Sequence, residues 1–184
     1  MPSREQAYFT SSCFHGSGTD TGVPNAFSRP ERLSDFDRLF PDNVSCKRFL
    51  LHRRWPDGPA CPRCGNANIQ AVNTRPFHWV CKSDAHARRG YTFCLYVGSV
   101  FEHTRYHLRT WFRVLYLLLG SKSARAVQLH RMTSGCSGRG RRRMQSCIRQ
   151  VRAALADPAF RKLMGIEDVE LRPRSGTHHN RRRR

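Results

Sequence analysis

The stretch Cys61–Cys94, CPRCGNANIQAVNTRPFHWVCKSDAHARRGYTFC, decides what this 184-residue chain can be. It opens on Cys61-Pro-Arg-Cys64-Gly65. A Cys-x-x-Cys turn aims both thiolates at one ion, and the glycine after it lets the backbone turn so that amide N–H groups reach the sulfurs. Zinc takes four such ligands in a tetrahedron, commonly Cys₄ or Cys₃His. Cys81 stands where a second pair should begin, after two strands. For the fourth ligand, His86 forms Cys-x₄-His within the local turn CKSDAH, whereas Cys94 would have to reach back from a returning strand. There it reads more simply as a small apolar residue. The preferred set is Cys61, Cys64, Cys81 and His86; a site closed by Cys94, a three-ligand site and a group of reduced core cysteines are the competing readings. Four protein ligands leave no open position for water, so the zinc is structural, and a sheet this small needs the metal for part of its folding energy. Cys13, Cys46, Cys136 and Cys147 have no ligand spacing and read as unpaired thiols.

Charge then names the partner. Lys and Arg number 33 against 13 Asp and Glu, a net charge of +20. Such a chain attracts polyanions: nucleic acid first, an acidic membrane surface second. From His103 to Ala156 there is no acid at all, while arginines recur from Arg105 to Arg152. That is the footprint of a phosphate-binding surface, with a merely solvated basic face as the bland alternative. The first thirty residues lack an apolar signal core, and the longest apolar run, WFRVLYLLLG, is broken by Arg113 and too short for a bilayer. The expectation is no membrane and a reducing, cytoplasmic setting, where grouped cysteines hold metal.

Periodicity supplies the elements. Residues 1–31 are Gly-, Ser- and Thr-rich and read as disordered. Leu33–Phe40 is a short amphipathic turn ended by Pro41; Asp42 caps a helix to about Arg54, with Val44, Phe49 and Leu50 facing a core. Ile69–Val72, Phe77–Val80 and Tyr91–Tyr96 read as strands, with Val97–Phe101 as one more. Leu108, Trp111, Phe112, Leu115 and Leu119 recur at helical spacing over about 107–120. Ser121 or Ser123 caps the next helix, SARAVQLHRM; TSGCSGRGRRR reads as a mobile linker; MQSCIRQVRAALA is a further helix, and DPAFRKLMG a last turn or short helix. Trp111 and Phe112 could stack on bases, but at helical spacing the core claims them. The class is α+β: a small antiparallel sheet flanked by helices, then a helical region, with disordered termini.

The text FPDNVSCKRFLLHRRWPDGPACPRCG, with YTFCLYVGSVFEHTRYHLRTWFRVLYLLLGSKSARAVQLHRM, resembles the N-terminal part of bacterial insertion-sequence transposases. The matching pieces are Trp55–Pro59, Cys61-x-x-Cys64-Gly65, Gly98–Glu102, Trp111-Phe112 and Ser121-Lys122. The resemblance implies a zinc ribbon, then a helical DNA-binding region, then an RNase H-like DDE catalytic domain. The family position matching Cys94 is usually serine, which favours His86. The likeness covers about residues 36–132, lapses over TSGCSGRGRRRMQSC, and returns over 148–166. Beyond it the first catalytic aspartate position falls on Glu170, and the remaining carboxylates do not follow.

Composition marks residues 1–31 as a disordered segment and 167–184 as a basic disordered tail, and between them the resemblance implies 32–102 as a zinc-ribbon domain with a leading helix and 103–166 as a helical, helix-turn-helix-like DNA-binding region. The expected function is DNA binding at element ends by the non-catalytic N-terminal part of a DDE-type transposase, truncated or frameshifted, acting on double-stranded DNA at the nucleoid. It could act as a homo-oligomer or mixed with a full-length transposase. Arg125, Gln128, His130 and Arg131 are the candidates for base or phosphate contact, and Arg141, Arg142 and Arg143 for phosphate contact, as is the tail Arg181–Arg184. The alternative is a zinc-ribbon adaptor for nucleic acid or protein unrelated to transposition.

Overall fold

The computed structural model describes residues 26–27, 33–86, 88–120 and 138–168. Helix α1 (Leu33–Leu39) and helix α2 (Asn43–Arg54) come first. A three-stranded sheet follows, β1 (Ile69–Ala71), β2 (His78–Cys81) and β3 (Tyr91–Cys94), antiparallel in the order β1-β2-β3. Then come α3 (Leu108–Leu119), α4 (Gly138–Leu155) and α5 (Pro158–Met164). The architecture is α+β, as expected.

Local chemistry accounts for the ends. Asp42 Oδ1 accepts the Ser45 amide at 2.7 Å, and Ser45 Oγ accepts the Asp42 amide at 3.3 Å, a reciprocal capping box. The Ser45 amide is the main reason the Asp42 carboxyl lies below its ordinary range. Asp157 caps α5 through the Ala159 amide, Pro158 fills the first turn, and Gly165 closes the helix in the left-handed region.

Helix α3 is the centre. Leu108, Trp111, Phe112, Val114, Leu115, Tyr116, Leu117 and Leu118 are all buried, so it is enclosed on nearly every side. Phe36, Phe40, Phe49 and Phe112 interlock around it; Phe40, Phe49 and Phe112 meet edge-on at 5.4–5.8 Å. Trp111 packs against Phe101 at 4.8 Å and Phe160 at 5.3 Å. Both Trp111 and Phe112 are thus core residues, not stacking platforms. The core is continuous across residue 102, because α2 from the leading segment packs on both α3 and α5.

Several expectations change. Phe27, within the segment read as disordered, is fully buried against Phe40, Phe49 and Phe112. Val44 is 40% exposed instead of facing the core, and Cys46 takes that role. Val97–Phe101 is a run of turns, tied by Ser99 N–H to the Tyr96 carbonyl and Glu102 N–H to the Ser99 carbonyl. Helix α4 begins at Gly138, inside the stretch read as a mobile linker. Arginine is a good helix former, and two glycines cost little in a first turn whose amides lack intrahelical partners anyway. The Tyr106 hydroxyl also donates to the Arg143 carbonyl at 2.8 Å and holds that end in place. The expected SARAVQLHRM helix lies outside the described residues, and with it the expected helix-turn-helix-like unit.

Arginines tie the layers together. Arg54 donates to the Leu95 carbonyl at 2.6 Å and to the Val97 carbonyl, so the chain leaving β3 is bound to the end of α2. Arg53 Nε donates to the Leu163 carbonyl at 2.9 Å, joining α2 to α5. Arg109 reaches the Phe40 carbonyl and, at 2.6 Å, Asp37; Arg113 lies 3.6 Å from the same carboxylate. Two arginines of the acid-free segment are thereby used to dock α1 on α3.

Candidate metal centre

The site is built from two turns and a strand. In the first, the Gly65 amide donates to the Cys61 carbonyl and the Cys61 amide to the Asn66 carbonyl, both at 2.9 Å. Gly65 takes φ +71°, the left-handed conformation that the sequence pattern anticipates. Cys81 ends β2, paired in register with Tyr91 on β3 and Ile69 on β1. His86 closes a turn in which its amide donates to the Ser83 carbonyl at 2.9 Å.

The donor atoms of Cys61, Cys64, Cys81 and His86 all lie within 4.8 Å of one another. His86 Nε2 stands 3.4 Å from Cys61 Sγ and 3.3 Å from Cys64 Sγ; Cys64 Sγ stands 3.7 Å from Cys81 Sγ. Zinc bound at about 2.3 Å to sulfur and 2.0–2.1 Å to nitrogen gives a tetrahedron with edges of about 3.5–3.8 Å. The three distances of 3.3–3.7 Å lie close to those edges, so the cluster suits that ion.

Electrostatics agree. Burial opposes ionisation of Cys61, yet the amides of Cys64 and Arg63 overcome it and hold the thiol below its ordinary value. The Asn66 amide does the same for Cys64, against burial. At Cys81 the Ser83 amide favours the thiolate, but burial and the neighbouring sulfurs outweigh it and push the thiol up. Two of the sulfurs thus favour the thiolate, and Cys81 beside them resists carrying charge until a cation is shared among the three, as a structural zinc would provide.

Cys94 does not join the cluster. It pairs with His78, three positions along from the Cys81–Tyr91 pair, about 10 Å at strand spacing. It also alternates away from the face that buries Phe93.

Residues 41–86 match the transposase zinc-ribbon domain. The match begins at Pro41, just before the Asp42 cap, and ends on the fourth ligand, His86. No curated protein and no solved structure matches the chain. The zinc ribbon here therefore includes α2 as well as the metal turns. That agrees with the Arg54 bonds from α2 to the chain after β3 and with Trp55 packed edge-on against Trp79 at 5.6 Å.

Sequence reasoning overlooked the ring that orients the histidine. Tyr91 lies 5.4 Å from the His86 ring and carries the Arg63 guanidinium 4.0 Å above its own face. Arg63 is an interior residue of the Cys-x-x-Cys turn, so a cation–π contact joins the turn to β3.

Of the nucleic-acid candidates, Arg125, Gln128, His130 and Arg131 lie outside the described residues. Arg141, Arg142 and Arg143 are exposed on the first turns of α4. Among the described residues, no helix is long and apolar enough to cross a membrane.

Proposed function

We propose that this chain is the DNA-binding, non-catalytic part of a DDE-type insertion-sequence transposase, binding double-stranded DNA at element ends. The observation that carries the reading is the transposase zinc-ribbon match over residues whose four ligand atoms converge on one tetrahedral site. The charge of +20 supports a polyanionic partner. In this reading the zinc does no chemistry: it holds the two turns and β2 as a rigid platform on α2, and through the shared core on α3 and α4. Cationic side chains outside the metal shell make the contacts, at the nucleoid, alone or in an oligomer with a full-length transposase.

Gel-shift binding tests the proposal, using the full chain on duplexes carrying the inverted repeats that flank the gene and on scrambled duplexes, over a salt series. With about six phosphate contacts, log K falls with log salt at a slope of about −5. Repeat DNA should bind more tightly than scrambled DNA at every salt concentration. Equal binding would leave a general polyanion binder and remove element-end recognition. Binding to RNA or protein alone would favour the adaptor reading. Magnesium or manganese added to the complex should release no cleavage product above a metal-free control, since phosphoryl transfer of this type needs clustered carboxylates to hold the ions.

A further inference from the structure

The geometry points to the outer face of α4 as a phosphate-tracking surface that lies across a DNA backbone and supplies affinity independent of sequence. This rests on the DNA-binding reading above and says which surface does the binding. Cys147, Val151, Ala154 and Leu155 are buried, and through them α4 packs on α3. At 100° per residue, Arg142, Gln145, Arg149 and Arg152 fall along the opposite side, and all four are exposed. Arg142 to Arg152 spans about 15 Å of helix, the axial rise of about four phosphates on one DNA strand.

The charge pattern supports this use. Arg109 and Arg113, from the same acid-free segment, are taken by Asp37, whereas among the described residues no carboxylate pairs with Arg142, Arg149 or Arg152. Helix α4 contains no Asp or Glu. Arg139 repels Arg142 and Arg143 at i+3 and i+4, and Arg149 repels Arg152 at i+3. The first of these groups also sits where the helix dipole is positive. The Tyr106 hydroxyl bond to the Arg143 carbonyl brings exposed Arg105 beside the same turns. A helix so at odds with its own electrostatics marks a place where sequence serves a ligand over stability. Phosphates relieve both conflicts, through charge-assisted bonds to the guanidinium groups. Guanidinium groups spaced along one exposed helix face meet phosphates, and phosphate contacts position the DNA without reading its sequence.

The test is a salt-series titration of the full zinc-loaded chain with a mixed-sequence duplex. Three variants are compared: Arg142→Gln/Arg149→Gln/Arg152→Gln, the same three positions changed to Lys, and Ala153→Lys. Zinc content and helicity confirm that each is folded. The glutamine variant should lose about 0.9 of salt slope per arginine, nearly 3 in all, equally on any sequence. The lysine variant should keep the slope, and Ala153→Lys, on the same exposed face, should steepen it by about 0.9. An unchanged slope in the glutamine and Ala153→Lys variants, while the native chain still binds, overturns the α4 assignment and leaves the DNA-binding reading intact. Loss confined to one sequence also overturns it, since α4 would then be reading bases. A native chain that binds no duplex sinks both.

Discussion

Gly90 and Gly65 form a paired test of how the fold sets the metal site. Both are left-handed, with φ of +73° and +71°. A Cβ at Gly90 would stand 2.7 Å from the Cys81 carbonyl oxygen and 3.1 Å from Val80 Cγ1, whereas at Gly65 it would meet nothing within 4 Å. Alanine at either position costs about 1–2 kcal/mol for the left-handed backbone. Only Gly90→Ala adds overpacking, about 1–3 kcal/mol more, because the obstacle is backbone that cannot swing aside. That obstacle is the backbone of a ligand, so relief of the clash moves the Cys81 thiolate. Where metal binding and folding are coupled, the extra cost appears in zinc affinity. Gly90→Ala should therefore bind zinc about 5- to 150-fold more weakly than Gly65→Ala, at 1.4 kcal/mol per decade. Competition against a chromophoric chelator measures the difference, and thermal unfolding of the zinc-loaded proteins should rank them the same way. Equal affinity in the two variants would refute the argument that the Gly90–Cys81 contact positions the ligand.

Other consequences are simpler to state. His86→Ala should lose or weaken the zinc while Cys94→Ser keeps one ion per chain by metal analysis; the opposite pattern would move the fourth ligand to Cys94. Burial pushes the Cys46 thiol up to about 12 and the Cys147 thiol up to about 11. Both should resist alkylation at pH 8 until the chain is unfolded, as read by mass spectrometry. Their folded values are raised, so the stability they contribute is full below the unfolded thiol value and declines as pH rises above it toward 11–12. A midpoint of denaturation that stays level across that range would contradict the burial of these thiols. Asp37→Asn should destabilise the chain by about 0.5–1 kcal/mol, as the half-exposed pairing with Arg109 and Arg113 is partly screened. The loss should shrink in high salt; no loss at low salt would mean that α1 is held on α3 by its aromatic packing alone.

The metal site was open to reading along the chain because its rules are short-range. A Cys-x-x-Cys turn, the Cys81–His86 spacing and the glycine at position 65 each depend on a few adjacent residues. The same holds for the Asp42 cap, the period of α3 and the Asp157-Pro158 start of α5. Where local signals competed, sequence reading faltered. Val44 and Cys46 both suit an inward position on α2, and packing chose Cys46. The arginine-rich start of α4 resembles a linker until Tyr106, 37 residues away, pins its backbone.

The sequence by itself determined the Cys-x-x-Cys turn with Cys81, the central helix and the basic character of the chain; it preferred His86 over Cys94, and the structure decided that choice and ended the sheet at three strands. Only the tertiary structure decided which arginines remain for a partner. Arg53, Arg54, Arg109 and Arg113 carry the same letter as Arg142, Arg149 and Arg152. The first four end beside carbonyls or a carboxylate brought from distant segments. The last three end on the outer side of a helix whose other side is buried. A guanidinium group's role depends on what lies within hydrogen-bond reach, and chain proximity does not set that distance. The same reason put Phe27 in the core: no local period surrounds it, and only the gap among Phe40, Phe49 and Phe112 gives it a place.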